Sequence, residues 1–263
     1  MADFFQIDNS PLLKFLFYPR GDFAPCPEGA FDFFVEVEAK VSVHCRFYQK
    51  NAAWPSILYF HGNGEIVSDH DEIAPWYHRI GVNLIVADYR GYGKSTGHPN
   101  FSNLIKDAHQ IFQAVHKKLE QQNLFAGLWI MGRSMGSVAA LELGYHYPTK
   151  IKGMIIESGF ASVTRLIRHL GLPAKGLDLE PIEKERLELI RRLTTPALII
   201  HGEYDNLIPL REAQDLFALL GSPAKELVII PKADHNNILF TNLDLYFDSL
   251  RNFIFTITTP SPR

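Results

Sequence analysis

One serine, the glycines around it and two later loops hold the residue types from which acyl-transfer chemistry is built. The stretch Leu128-Trp129-Ile130-Met131-Gly132-Arg133-Ser134-Met135-Gly136 passes from an apolar run into a tight glycine-flanked turn, and a small-residue, helix-forming run leaves it. This is the strand–turn–helix pattern of a G-x-S-x-G elbow with Ser134 at its apex. So sharp a turn strains the serine backbone and brings Gly132 and Gly136 close together, so that a Cβ at either would clash. The hydroxyl then stands at a helix N-terminus, where the dipole and free N–H groups favour developing negative charge.

A serine hydroxyl is a poor nucleophile at neutral pH. It needs a base within hydrogen-bond reach, and the base needs an orienting acid. Asp205, in His201-Gly202-Glu203-Tyr204-Asp205-Asn206, and His235, in Pro231-Lys232-Ala233-Asp234-His235-Asn236, each follow a strand-like apolar run. In an open parallel sheet such loops collect at the C-terminal strand ends, and the order Ser, Asp, His suits that architecture. The rivals are His201 for the base and Glu157, Glu203 and Asp234 for the acid. A tetrahedral intermediate also needs two N–H donors. Met135, the residue after the nucleophile, supplies one, and Asn63 in His61-Gly62-Asn63-Gly64-Glu65 supplies the other. Arg133 has two readings, a contact for an anionic substrate group and a structural ion-pair partner.

The elements that must position these groups follow from hydrophobic periodicity. Residues 31–48 alternate on both sides of Ala39-Lys40 and read as an antiparallel hairpin. Short apolar runs at 56–62, 82–88, the elbow strand, 153–157, 197–201 and 226–230 read as buried strands. Helical patterns cover about 73–80, 102–120, the elbow helix to about 147, 210–220 and 242–255. The expectation is a single α/β domain over 1–263: a mostly parallel sheet of about eight strands, an antiparallel N-terminal hairpin and helices on both faces. Residues 160–193 are longer than one crossover needs and read as a small helical cap, the alternative being a crossover helix with a long loop. The Thr/Pro/Ser-rich tail after Thr256 is expected to fray.

Composition narrows the function classes. The chain has 263 residues, a formal net charge of -3 and no basic run, so a nucleic-acid partner is not expected. Two cysteines, Cys26 and Cys45, are too few for a disulfide framework and point to a reducing, cytoplasmic setting. No apolar run approaches the length of a membrane span, and Asp3 and Lys14 argue against a signal peptide. Pro11–Pro19 is expected to pack on the sheet edge or pocket mouth rather than touch a membrane surface. Gly91-Tyr92-Gly93-Lys94-Ser95 ends like a P-loop, but Asp88 stands where its first glycine belongs. Gly62-Asn63-Gly64 begins like a dinucleotide fingerprint, but Val67 stands where the third glycine belongs. Asp69, His70, Asp71 and His78 lack zincin spacing and read as a helix start and a solvated face, so no metal and no cofactor are expected.

Four blocks in order resemble the α/β-hydrolase superfamily: His61-Gly62-Asn63-Gly64-Glu65, Asp88-Tyr89-Arg90-Gly91-Tyr92-Gly93-Lys94-Ser95, Gly132-Arg133-Ser134-Met135-Gly136, then Asp205 and His235. The resemblance spans about residues 31–255 and is nearest to the serine esterase and thioesterase branch with minimal caps, which includes depalmitoylase-like and serine-aminopeptidase-like hydrolases. It implies a cofactor-free acyl-enzyme mechanism on Ser134, His235 and Asp205, acting on a small-molecule ester or thioester of small to medium acyl length. The Asp88–Ser95 block is implied to brace the site without a chemical role. The alternatives are an aminopeptidase-type serine peptidase, with cap acids such as Glu183 or Glu185 for a charged terminus, and a catalytically silent scaffold.

Overall fold

Runs such as Ser56–Phe60 and Asn83–Ala87 have no polar face to offer solvent. In the computed structural model, which describes residues 4–258, they are strands buried on both sides. The chain opens with α1 (Phe5–Asp8), a 3-10 turn (Pro11–Phe15) and the hairpin β1 (Ala30–Glu38) and β2 (Val41–Tyr48). Then come β3 (Ser56–Phe60), α2 (Ala74–Arg79), β4 (Asn83–Ala87), α3 (Phe101–Gln121), β5 (Leu128–Arg133) and α4 (Ser137–His146). β6 (Met154–Glu157) leads through α5 (Val163–His169) and α6 (Glu180–Arg192) to β7 (Ala197–Gly202) and α7 (Leu210–Leu219). β8 (Lys225–Ile230), α8 (Ile238–Thr241) and α9 (Leu243–Thr258) complete the order.

The eight strands form one sheet in the order β1-β2-β4-β3-β5-β6-β7-β8. β3 to β8 run parallel, and the β1–β2 hairpin joins β4 antiparallel, as the alternation of residues 31–48 predicts. The chain steps from β3 out to β4 and then back across to β5. That reversal leaves a crevice at the C-terminal ends of β3 and β5, where Phe60 pairs with Gly132. Val82, Tyr77, Phe247, Leu250 and Phe253 cover one face of the sheet. Ile111, Phe112, Val138, Leu141 and Leu216 cover the other.

Three expectations change. The closing helix runs to Thr258, past the expected start of fraying, and residues 259–263 of the tail lie outside the described residues. In the 160–193 insertion, α6 packs on α4 and α7 and buries Ile182, Arg186 and Ile190, as a crossover helix does. The expected solvated face at residues 69–78 is largely engaged. His70 is buried edge-on against Tyr59, Asp71 accepts from Arg46 and from the Tyr48 hydroxyl, and Asp69 pairs with Arg20. The segment before the hairpin folds back on α3, with Leu12 and Phe17 buried and Phe17 edge-on to Phe101.

Candidate active site

The elbow forms because two glycines let three backbones meet. A Cβ at Gly132 would overlap the Gly136 carbonyl, and one at Gly136 would overlap the Phe60 carbonyl of β3. Between them Ser134 sits at φ 52°, left-handed backbone that a serine adopts only under constraint. A 3-10 turn over Ser134–Gly136 feeds α4, and the Ser137 hydroxyl donates to the Ser134 carbonyl at 2.6 Å. Met135 lies in the first turn, where a helical N–H has no intrahelical acceptor.

Asp205 follows β7, and His235 lies on the loop after β8. The structure joins them, with His235 Nδ1 at 2.7 Å from Asp205 Oδ2. The carboxylate is fixed on its other oxygen by the N–H groups of Leu207 (3.0 Å) and Ile208 (2.7 Å). Burial pushes the Asp205 pKa up, but the His235 contact and the Ile208 amide outweigh it and hold the group below the usual carboxylate range. A carboxylate on Nδ1 fixes the proton there and leaves the lone pair on Nε2. Among the described residues the Ser134 hydroxyl makes no hydrogen bond, so its link to His235 is open in this structure.

The rivals each have partners of their own, though His201 Nε2 also lies 3.5 Å from Asp205 Oδ2. His201 is fully buried, contacts the Ile208 carbonyl at 2.8 Å through Nε2 and has its pKa lowered by burial. Glu203 accepts from the Lys232 N–H, and Asp234 accepts from the N–H groups of Asn236 and Asn237 to hold its own turn. Glu157 takes Arg133 and the Tyr246 hydroxyl.

Asn63 has a side chain and an amide with different jobs. Its Oδ1 accepts from Tyr18 N–H (2.9 Å) and the Tyr92 hydroxyl (2.6 Å), while Nδ2 donates to the Leu16 carbonyl (3.0 Å). The side chain therefore staples the N-terminal segment to the loop after β3, and the Asn63 N–H has no acceptor among the described residues. The neighbouring Gly62 N–H is consumed by Glu65 Oε2 at 3.0 Å.

Arg133 is an ion-pair partner, the second of its two readings. It pairs with Glu65 and with Glu157, and its Nη2 donates to the His235 carbonyl at 2.6 Å. The residue before Ser134 thus ties the His235 loop to the elbow. Glu65 and Glu157 part company electrostatically. Burial raises both, but at Glu65 the Arg133 charge outweighs it, whereas Glu157 stays above the usual range. Sequence reasoning did not find Tyr246, which caps Glu157 from α9, because nothing in a helical pattern marks so remote a partner.

The Asp88–Ser95 block is a brace. Asp88 is fully buried and accepts from Val67 N–H at 2.8 Å, with His61 Nε2 at 3.2 Å and His44 Nδ1 at 3.3 Å. The Tyr89 hydroxyl donates to the His61 carbonyl at 2.6 Å, and Arg90 forks onto Asp107 at 2.7 and 2.8 Å. These contacts fix the loop that carries Asn63.

A family model described as serine aminopeptidase, S33, matches residues 52–179, which hold the Asn63 loop, the brace and the elbow. Among solved structures, the esterase Pf2001 of Pyrococcus furiosus superposes with a TM-score of 0.74 at 16% identity, over 92% of this chain and 99% of that one. The chain has the α/β-hydrolase fold. A soluble variant of monoglyceride lipase from Saccharomyces cerevisiae shares this fold with a TM-score of 0.68 at 17% identity, over 91% of this chain and 100% of that one. In sequence this chain is 27% identical over 221 residues to YfhR of Salmonella typhi, covering 80% of this chain and 74% of that protein. Among the described residues no helix is long and apolar enough to cross a membrane.

Proposed function

We propose that this α/β-hydrolase cleaves carboxylic esters or thioesters of small to medium acyl groups, with Ser134 as nucleophile, His235 as base and Asp205 as its orienting acid. One observation carries the reading. The Asp205–His235 pair leaves Nε2 free, on a loop that Arg133 ties to the elbow bearing Ser134. Ser134 Oγ adds to the acyl carbonyl as its proton passes to His235 Nε2. The tetrahedral oxyanion is held by the N–H groups of Asn63 and Met135. His235 then gives the proton to the departing alcohol or thiol, and a water activated the same way releases the acid and restores Ser134. No step calls for a metal or cofactor.

Residues 160–179, including α5, are the part of the insertion left to act as a cap, since α6 belongs to the main packing. The peptidase reading loses one of its acids, because Glu183 accepts from the Thr164 N–H and serves α5. The thiols of Cys26 and Cys45 are unpaired, which supports a reducing, cytoplasmic setting.

The test is hydrolysis of p-nitrophenyl esters of increasing chain length by the native chain and Ser134→Ala, with a fluorophosphonate probe on the same samples. Turnover lost in Ser134→Ala is expected, and the preferred chain length sizes the acyl pocket. Labelling at Ser134 without ester turnover would leave the nucleophile and discard the substrate class. Neither labelling nor turnover in folded protein would leave a silent scaffold.

A further inference from the structure

A second cluster of chemistry-bearing side chains lies away from the elbow, where α3 packs on the C-terminal end of α4. His109 comes from the middle of α3, and Glu142 and His146 come from α4 with helical i, i+4 spacing. One ligand atom from each lies within 4.8 Å of the other two. His109 Nε2 is 3.6 Å and His146 Nδ1 is 3.2 Å from the same oxygen, Glu142 Oε1. With metal–ligand bonds of 2.0–2.1 Å, tetrahedral zinc sets its ligands about 3.3 Å apart, between those two separations.

Two of these atoms face one another without a hydrogen bond. Glu142 is 3% exposed, yet its Oε1 makes no hydrogen bond, and neither does His109 Nε2. Buried polar atoms left unpaired are rare, and an ion is one of the few things that satisfies a carboxylate and an imidazole together. The surroundings are set for it. The Tyr147 hydroxyl lies 3.0 Å from His109 Nδ1 and can accept a proton from it, the tautomer that leaves the lone pair on Nε2. Arg186 approaches the other carboxylate oxygen, Oε2, at 3.7 Å, so Glu142 divides its charge between two cations. His146 is 38% exposed and stands at a cleft of about 540 Å³ between α4 and α6, which leaves the fourth position to water.

We propose that His109, Glu142 and His146 bind one divalent transition-metal ion of the zinc class, clamping the end of α4 to α3. On binding, His146 Nδ1 gives up its 3.1 Å contact with the Glu142 carbonyl and its proton sits on Nε2. The site lies roughly 15 Å along α4 from Ser134, so its role is to stabilise the scaffold and not to enter the acyl chemistry.

The experiment is calorimetric titration of the full-length chain with zinc chloride alone, paired with thermal unfolding. One site per chain is expected, and a rise in Tm of about 5 °C or more at a hundredfold excess over Kd. Magnesium is expected to do nothing, because a hard cation does not favour imidazole. His146→Gln changes a half-exposed helix-end residue and should keep the fold. It is expected to weaken zinc by about 100-fold or more and to abolish the Tm shift, and His109→Gln should do the same. No binding heat in the native chain, or the same zinc affinity in both variants, overturns the site.

Discussion

Two buried histidine–aspartate pairs, His235–Asp205 and His61–Asp88, differ in what the second ring nitrogen does. At His235, Nδ1 meets the carboxylate and Nε2 makes no hydrogen bond among the described residues. At His61, Nε2 meets the carboxylate and Nδ1 contacts the Gly62 carbonyl at 2.8 Å. Both of its partners are acceptors, so His61 is held as a doubly donating cation, whereas His235 keeps a lone pair free to take a proton. The Asp88 carboxylate is also committed to His44 and the Val67 amide. A histidine against a buried carboxylate is therefore not in itself a base. In the proposed mechanism the first pair moves a proton, whereas the second holds a loop.

Substitutions should separate the two. The largest effect is expected at His235→Ala, about 10⁵-fold in kcat toward a p-nitrophenyl ester, with the melting temperature nearly kept. Comparable activity in that variant would remove His235 from the mechanism. Asp205→Asn keeps the shape but favours the wrong tautomer, and about 10⁴-fold is expected in the same assay.

At the loop that His61 braces, Asn63→Pro removes the N–H and should cost about 100- to 1000-fold in kcat. Asn63→Ala keeps the N–H and loses only the staple to Leu16, Tyr18 and Tyr92, so it should cost far less. Equal losses in the two variants would mean that the amide is not a donor. His61→Gln is expected to act on stability instead, by about 3 kcal/mol in urea unfolding, with turnover per folded molecule changed much less.

The smallest effect is the pH dependence of that stability. Burial disfavours the His61 cation, but the Asp88 contact outweighs it, so its folded pKa lies above the ordinary value of about 6.5. Its contribution is then fully present below pH 6.5 and is lost as pH rises through the folded value. The native chain should lose more unfolding free energy than His61→Gln over that rise, and parallel pH profiles would contradict the assignment.

Much of this was legible one residue at a time. The G-x-S-x-G turn predicts a strained Ser134, and its φ of 52° agrees. The alternation of residues 31–48 predicts the hairpin, and the apolar runs predict the parallel strands, because a strand buried on both faces has no room for a polar side. The insertion was legible only in length. That α6 packs on α4 and α7 depends on where Ile182, Arg186 and Ile190 land, and amphipathic spacing does not say against which face a helix lies.

The amino-acid sequence by itself determined the strand and helix order, the elbow and the two loops that bear Asp205 and His235, since local propensity and hydrophobic period act within a dozen residues. Only the tertiary structure decided which acid meets which histidine. It gave Asp205 to His235 and Glu157 to Arg133, and it made Asn63 both a staple and a free amide. It also brought His109 beside Glu142 and His146. Those pairings depend on separations of 24 to 47 residues closed by sheet order and helix packing, which no local pattern encodes.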